Sequence, residues 1–288
     1  MRIVVALGGN ALLPKDARGT AAEQARAANS ALVNLSNIFD KHEIALTHGN
    51  GPQVGSLLLQ QHATREVPAM PLDVLDAMTQ GEIGYFVQSA LHKKSAVLLT
   101  RVTVDEADPA FSHPTKPIGP FYKSQLNKKM VLDAGRGYRL AVPSPKPIAI
   151  MEKDAILSLL RSGFVVVCGG GGGIPVTKTG KGVEAVIDKD NFSSLLATTI
   201  KADTLVFVTS VDAAYTHFGK RSQKRIAKTN VRELRALLRK DHFAEGSMKP
   251  KVESAISFLD KGGKKAIICS ISNVSSAIKG KAGTIVTK

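Results

Sequence analysis

Two short apolar runs near the amino terminus end abruptly in glycines and an asparagine, and this restricts the fold more than any other feature of the chain. The first reads Val4-Val5-Ala6-Leu7-Gly8-Gly9-Asn10-Ala11. The second reads Ile44-Ala45-Leu46-Thr47-His48-Gly49-Asn50-Gly51-Pro52-Gln53-Val54-Gly55. Continuous apolar runs of this length suit strands buried on both faces of a parallel sheet. Glycines directly after them suit a backbone that approaches a ligand closely. Two such strand ends in one sheet predict an α/β protein that holds a small anion at the carboxyl edge of the sheet.

A chain of 288 residues is long enough for one large α/β unit or two lobes with a real core, and 43% hydrophobic with 22% charged residues is an ordinary globular balance. No apolar run reaches membrane-spanning length. The opening Met1-Arg2-Ile3-Val4 runs straight into Gly8-Gly9-Asn10 without a cleavage site, so it reads as a strand rather than a leader. The expected location is the cytoplasm. Cys168 and Cys269 each end an apolar run, outside any C-x-x-C pair, and read as reduced core thiols rather than metal ligands or a disulfide. The formal net charge is +15. Lys220, Arg221, Lys224, Arg225, Lys228, Arg232, Arg235, Arg239 and Lys240 form a basic run opposed only by Glu233. Such a run reads as a solvated face or as a surface for nucleotides or nucleic acid. Aromatic residues are sparse there, so the stacking partners of a single-strand binder are missing and nucleic acid is not the expected partner.

The order of elements alternates between strand and helix. Strands are predicted at 3–7, 44–47, 96–104, 164–167, 204–208, 266–269 and 284–286. Helices are predicted around 21–39, from Pro52, over 71–93, 154–161, 191–200, 231–239 and 249–260. This βα repetition predicts a mostly parallel central sheet with helices on both faces. The proline-rich stretch from Asp108 and the basic segment up to Arg139 carry no clear period. One continuous unit over 1–288 is expected, with a protrusion at about 109–143, an amino lobe to about 185 and a carboxyl lobe from about 186.

Gly169–Gly173 directly follow the strand at 164–167 and read as a loop whose amides face phosphate or a developing oxyanion. They are not a dinucleotide fingerprint, because Ile174-Pro175-Val176 follows where a helix should open. A Walker A loop is also absent, since no Gly-Lys pair is followed by Ser or Thr. Lysines supply another arrangement. Lys189 lies between Asp188 and Asp190, Lys251 sits near the start of a helix, and Lys116 is enclosed by Pro114, Pro117 and Pro120. A cation at a helix amino end opposes the helix dipole, and an anionic ligand relieves that conflict. Together with the glycine-rich strand ends, these lysines suggest electrostatic clamping of a phosphoryl group. His48 is an acid or base candidate by type, or a backbone-bonded residue at a strand end.

The segments Ala6–Leu12, Thr47–Gly55, Gln80–Tyr85, Asp108–Phe111, Pro114–Tyr122, Gly135-Arg136-Gly137-Tyr138-Arg139, Pro143–Pro147, Gly169–Pro175, Gly182–Asp190 and Gly246–Lys251 resemble, in order and across the whole chain, the carbamate kinases of the amino acid kinase family. The resemblance implies a three-layer αβα sandwich with a small protruding subdomain, assembled as a homodimer. It implies reversible phosphoryl transfer between ATP and carbamate, giving ADP and carbamoyl phosphate, with Mg²⁺, in arginine catabolism. Carried onto matching positions, Lys116, Lys189 and Lys251 contact phosphate and Asp190 orients lysines. Gly8, Gly9, Asn10, Gly49, Asn50, Gly51, Gly170, Gly171 and Gly172 cradle carbamate and the moving phosphoryl group. Thr209, Ser210, Tyr215, Ser247 and Met248 lie near the nucleotide.

The chain departs from the family pattern at two places. Thr209-Ser210-Val211 stands where the family reads Thr-Asp-Val, and Lys249 replaces a glycine in Gly246-Ser247-Met248-Lys249-Pro250-Lys251. Two alternatives accompany the main reading. One is a divergent relative acting on another small carboxylate or carbamate-like acceptor. The other is a non-catalytic basic protein that binds nucleotide or nucleic acid.

Overall fold

The computed structural model describes residues 1–14, 17–63, 65–125, 129–132, 137–244 and 246–288, without the side chains of Asn10, Pro120 and Phe121. The Gly135-Arg136 pair of the family-like segments lies outside the described residues. The strands in the amino half are β1 (Arg2–Leu7), β2 (Glu43–His48), β3 (Ser95–Leu98), β4 (Arg101–Thr103), β5 (Lys116–Tyr122), β6 (Met130–Leu132), β7 (Tyr138–Val142), β8 (Ala149–Ile150), β9 (Val165–Cys168) and β10 (Ile174–Val176). Those in the carboxyl half are β11 (Thr204–Thr209), β12 (Ala214–Thr216), β13 (Lys224–Ile226), β14 (Lys228–Asn230), β15 (Lys265–Ser270) and β16 (Thr284–Thr287). The central sheet has eight strands in the order β14-β16-β15-β11-β1-β2-β9-β3. It is parallel from β15 to β3, and β16 runs antiparallel to β15.

Strand β1 shows why the sheet needs cover on both faces. Ile3, Val5 and Leu7 pack into one core with α2 (Ala21–Phe39), α4 (Leu72–Ala90) and α9 (Val274–Ile278). Val4 and Ala6 point the other way, into a second core with α5 (Lys153–Arg161), α6 (Lys189–Thr199), α7 (Val231–Arg239) and α8 (Met248–Asp260). This period-two alternation between two apolar faces makes the three-layer αβα sandwich. The chain first builds outward from β1 through β2, then crosses to β11 on the other side. The carboxyl ends of β1, β2 and β11 therefore flank the point where strand order reverses, where open α/β sheets bind ligands.

Three local features differ from the expectations above. The strand predicted at 96–104 is split, with β3 in the central sheet and β4 in a separate sheet with β8 and β10. The break is at Thr100, whose backbone N–H donates to Gln80 Oε1 of α4 at 2.8 Å instead of to a strand neighbour. The helix predicted from 191 opens at Lys189, because the Asp188 side chain caps it by accepting from the Asp190 and Asn191 amides. The basic run at 220–240 divides into hairpin strand β13, strand β14 and α7.

The stretch without a period forms a three-stranded sheet of its own, β5-β7-β6. Its β5 packs on α3 (Gly51–Gln61) at a tight point: a Cβ on Gly55 would fall 2.5 Å from Gly119 Cα. Gly119 has φ +76°, and its carbonyl accepts from Arg139 Nε at 2.7 Å.

Candidate active site

The three lysines singled out in the sequence come from three different elements and meet on one acidic pair. Lys116, on β5 of the small sheet, donates to Asp188 Oδ2 at 2.6 Å. Lys189, the first residue of α6, donates to Asp190 Oδ1 at 2.7 Å. Lys251, in the first turn of α8, donates to the other oxygen, Asp190 Oδ2, at 3.0 Å and to the Ser247 carbonyl at 3.1 Å. The side chains of Lys189 and Lys251 are each 12% exposed and that of Asp190 is 7% exposed. Three ammonium groups against two carboxylates leave one positive charge in a partly dry place, which favours an anion.

Burial alone would raise the Asp190 carboxyl, but the charges of Lys189 and Lys251 outweigh it and hold the pKa down to about 2. Burial lowers the Lys189 ammonium, with the Lys251 charge adding to that and Asp190 opposing it. Asp190 is thus an anion that two buried lysines require, in position to orient both.

The strand ends meet the lysines through close backbone approach. A Cβ on Gly8 would lie 2.8 Å from the Val208 carbonyl oxygen, and the Gly8 amide donates to that oxygen at 3.1 Å. A Cβ on Gly49 would lie 3.5 Å from Gly9 N and 3.9 Å from Lys189 Cδ. Gly8, Gly9 and Gly51 line a cleft of about 1220 Å³ together with Thr209, Ser210, Ser247 and Lys251. The cleft runs from the ends of β1 and β11 to Gly119 and Arg139 of the small sheet. Asn10 follows Gly9 in the short helix α1 (Gly9–Leu12). Met248 opens α8 directly after Ser247. Tyr215 sits further along, on β12, and donates to Asp212 Oδ1 at 2.6 Å, while Asp212 Oδ2 accepts from Arg225 at 3.2 Å. Lys249, the second residue of α8, donates through its amide to the Ala244 carbonyl.

Gly170, Gly171 and Gly172 lie buried behind these groups rather than among the cleft-lining residues. The amides of Gly172 and Gly173 donate inside the turn, to the carbonyls of Gly169 and Gly170. The glycines are required by space and by backbone: Gly171 has φ +68°, and a Cβ there would fall 2.3 Å from Asn50 Nδ2. A Cβ on Gly170 would fall 2.3 Å from the His48 ring, and one on Gly172 would fall 2.5 Å from the Ile187 carbonyl oxygen. The turn lets Asn50, His48 and the segment leading into Lys189 converge.

His48 takes the second of its two readings, a ring beside the backbone at the end of β2. Its ring is buried, with Nδ1 3.2 Å from the Gly49 carbonyl. Burial holds its pKa down to about 4, against an ordinary value of 6.5, and the Lys189 charge adds to the shift. The unfolded chain therefore binds a proton between pH 6.5 and 4 that the native ring does not. Stability should fall by about 3 kcal/mol as pH drops across that window. Urea midpoints at pH 7 and 4.5 should differ by less in His48→Gln than in the parent protein, and equal differences would contradict the assignment.

With this geometry in view, comparison with known proteins decides the family. The Amino acid kinase family profile matches residues 1–270. The chain belongs to the amino acid kinase family. It is similar to carbamate kinase of Oenococcus oeni (44% identical, covering 100% of this chain and 99% of the relative). It is also similar to carbamate kinase 1 of Enterococcus faecium (47% identical, 100% and 99%). The solved structure of Giardia lamblia carbamate kinase bound to AMP-PNP superposes with a TM-score of 0.91 at 40% identity, covering 100% of this chain and 98% of that one.

Within this amino acid kinase fold, sequence reasoning missed the buried polar face of α4. Asp76, Thr79 and Gln80 are buried on a helix whose neighbouring positions Leu72, Leu75, Ile83 and Val87 are apolar core. Gln80 Nε2 donates to the Gly170 carbonyl at 3.0 Å and to the Thr100 carbonyl at 3.2 Å. The available signal was polar residues spaced 3 and 4 apart on the apolar side of a helix.

Proposed function

We propose that this protein is an ATP-dependent carbamate kinase, transferring a phosphoryl group reversibly between ATP and carbamate. The supporting observation is the meeting of Lys116, Lys189 and Lys251 around Asp188 and Asp190 at the switch point, in a chain that aligns end to end with carbamate kinases. In the forward direction a carbamate oxygen attacks the γ-phosphorus. The new P–O bond forms as the bond to the β-bridging oxygen breaks, and ADP leaves with that electron pair. Both reactants are anionic, so the barrier is mainly charge repulsion and alignment. Lys189 and Lys251, held by Asp190, carry fixed positive charge to the transferring group. Lys116 brings a third from the small sheet. The backbone of Gly8, Gly9, Gly49 and Gly51 lets the acceptor come close.

Thr209, Ser210 and Ser247, which line the cleft, are assigned to the nucleotide, with Met248 beside Ser247 and Tyr215 further along on β12. The surplus charge supports that assignment: residues 213–288 contain 17 basic and 5 acidic residues, a field that draws nucleotide phosphates to this half. Among the described residues no group of three or more His, Cys, Asp or Glu could hold a metal, and Asp188 and Asp190 are engaged by lysines. Mg²⁺ is expected to enter with the substrates, as MgATP or MgADP.

No helix among the described residues is long and apolar enough to cross a membrane. Met78 and Tyr85 lie exposed on one side of α4, the helix that packs beside β3 at the edge of the central sheet. This apolar face suits a second copy of the chain, and a solution mass near twice 30.6 kDa is expected. A monomeric mass at micromolar concentration would remove it.

The acceptor is tested with MgATP and a panel of carbamate, acetate and amino acid carboxylates, following ADP release. Carbamate should be the preferred acceptor. Faster turnover of another carboxylate would reassign the substrate while keeping the chemistry.

A further inference from the structure

Asn50 is held in a way that fixes which end of its amide meets a ligand. Its Nδ2 donates to Asp76 Oδ1 at 3.0 Å and to Thr79 Oγ1 at 2.9 Å, so both amide hydrogens are committed to α4. The Thr79 hydroxyl donates its single proton to the Asp76 backbone carbonyl at 2.8 Å and can only accept from Asn50. Turning the amide over would set its oxygen against the Thr79 lone pairs, and would match Asp76 only if the carboxyl proton sat on Oδ1 rather than on Oδ2. The amide oxygen is therefore the end directed away from α4. A Cβ on Gly171 would fall 2.3 Å from Nδ2 and 2.8 Å from Oδ1 of this amide, so only glycine leaves room for it in this position.

Asn50 sits between Gly49, which abuts Gly9 and Lys189, and Gly51, which lines the cleft. We infer that Asp76 and Thr79 are positioning residues that present the Asn50 oxygen to the acceptor, and that this oxygen reads the amino group of carbamate. The inference rests on the carbamate kinase reading above. Carbamate and carbamoyl phosphate carry N–H donors, whereas acetate and acetyl phosphate have a methyl group of similar size in the same place. An acceptor oxygen fixed at that point favours the first pair and leaves a buried polar atom unmatched by the second.

The state of Asp76 agrees with this arrangement. Burial pushes its carboxyl well above the ordinary carboxylate range, with the nearby Asp73 charge adding and the Asn50 hydrogen bond opposing. Its Oδ2 is buried without a hydrogen-bond partner among the described residues. A neutral acid with its proton on Oδ2 leaves Oδ1 as a carbonyl oxygen, which is what the Asn50 amide needs. An asparagine at this position offers the same carbonyl and no charge.

The test measures ATP formation from MgADP with carbamoyl phosphate and with acetyl phosphate, and takes the ratio of the two kcat/KM values. It compares the parent protein with Asp76→Leu, Thr79→Val and Asp76→Asn, each checked for folding by circular dichroism and thermal midpoint. The parent should prefer carbamoyl phosphate. In Thr79→Val and Asp76→Leu the ratio should fall about tenfold or more, in KM for the phosphoryl donor and not in KM for MgADP. Asp76→Asn should keep the ratio within about threefold, as an isosteric acceptor would.

Thr79→Val removes only a hydroxyl, so it decides the matter if Asp76→Leu does not fold. A parent enzyme that makes ATP from carbamoyl phosphate but shows no preference over acetyl phosphate overturns the inference alone. So does an unchanged ratio in folded Thr79→Val, or a loss in Asp76→Asn as large as in Asp76→Leu. A parent that makes no ATP from carbamoyl phosphate overturns the underlying reading, and the inference with it.

Discussion

Lys189→Ala should lower kcat for ATP formation by about 10²–10³, the usual effect of removing one preorganised charge from a transferring group. The size follows from where the ammonium sits. It is held by Asp190 at 2.7 Å, its stem runs beside Gly49, and its side chain is only 12% exposed. Water cannot readily take its place, and Lys251 is already bound to the other Asp190 oxygen. Lys189→Arg should not restore the rate, because a planar guanidinium does not fit a position shaped for a point charge. Lys189→Met keeps the apolar stem and separates lost charge from lost packing. KM for MgADP should change little if the nucleotide is held, as proposed, by Thr209, Ser210 and Ser247. A rate within threefold of the parent would remove Lys189 from the chemistry.

Asp190→Ala should be the most destabilising single change in the site. It leaves Lys189 and Lys251 facing each other in a largely buried place without their shared counter-charge, and breaking a buried ion pair from one side costs about 3–5 kcal/mol. The same substitution should abolish turnover, because neither ammonium keeps its direction. Asp190→Asn preserves the shape and should fall between the two in stability, with turnover still lost. The pH dependence has a definite sign. The native carboxyl titrates at about 2, below the ordinary value of 3.8. Its contribution is therefore present above pH 3.8 and is lost as pH falls through 2, amounting to about 2 kcal/mol. Chemical unfolding of the parent and Asp190→Asn at pH 7 measures the difference, and equal midpoints would show that Asp190 does not hold the lysines.

The parts of the fold legible in the sequence were those set by local pattern. β1 and β2 could be read because an apolar run followed directly by glycine has few other uses in an α/β chain. Lys251 could be singled out because a lysine at a helix start needs a reason, and Lys189 because it lies between two aspartates directly after an apolar run. The break between β3 and β4 was not legible. It is imposed by Gln80, twenty residues earlier, whose side chain takes the Thr100 amide out of the strand ladder. The glycine run was read as a loop whose amides face phosphate or an oxyanion, and its close packing against other segments was not legible. His48, Asn50 and the Ile187 carbonyl arrive from elsewhere in the chain. The buried polar face of α4 was hidden for the same reason: Asp76 and Thr79 acquire meaning only once Asn50 is placed against them. The small sheet was visible merely as a stretch without a period, since β5, β6 and β7 are short and pair only with one another.

The central claim is that fixed lysines and bare backbone at the switch point offset the repulsion between two anionic reactants. The most direct measurement is the initial rate of ATP formation by the purified parent protein given MgADP and carbamoyl phosphate. The account predicts a rate that saturates in both reactants and needs Mg²⁺. No ATP above a protein-free control, under conditions where the protein is folded, would contradict it.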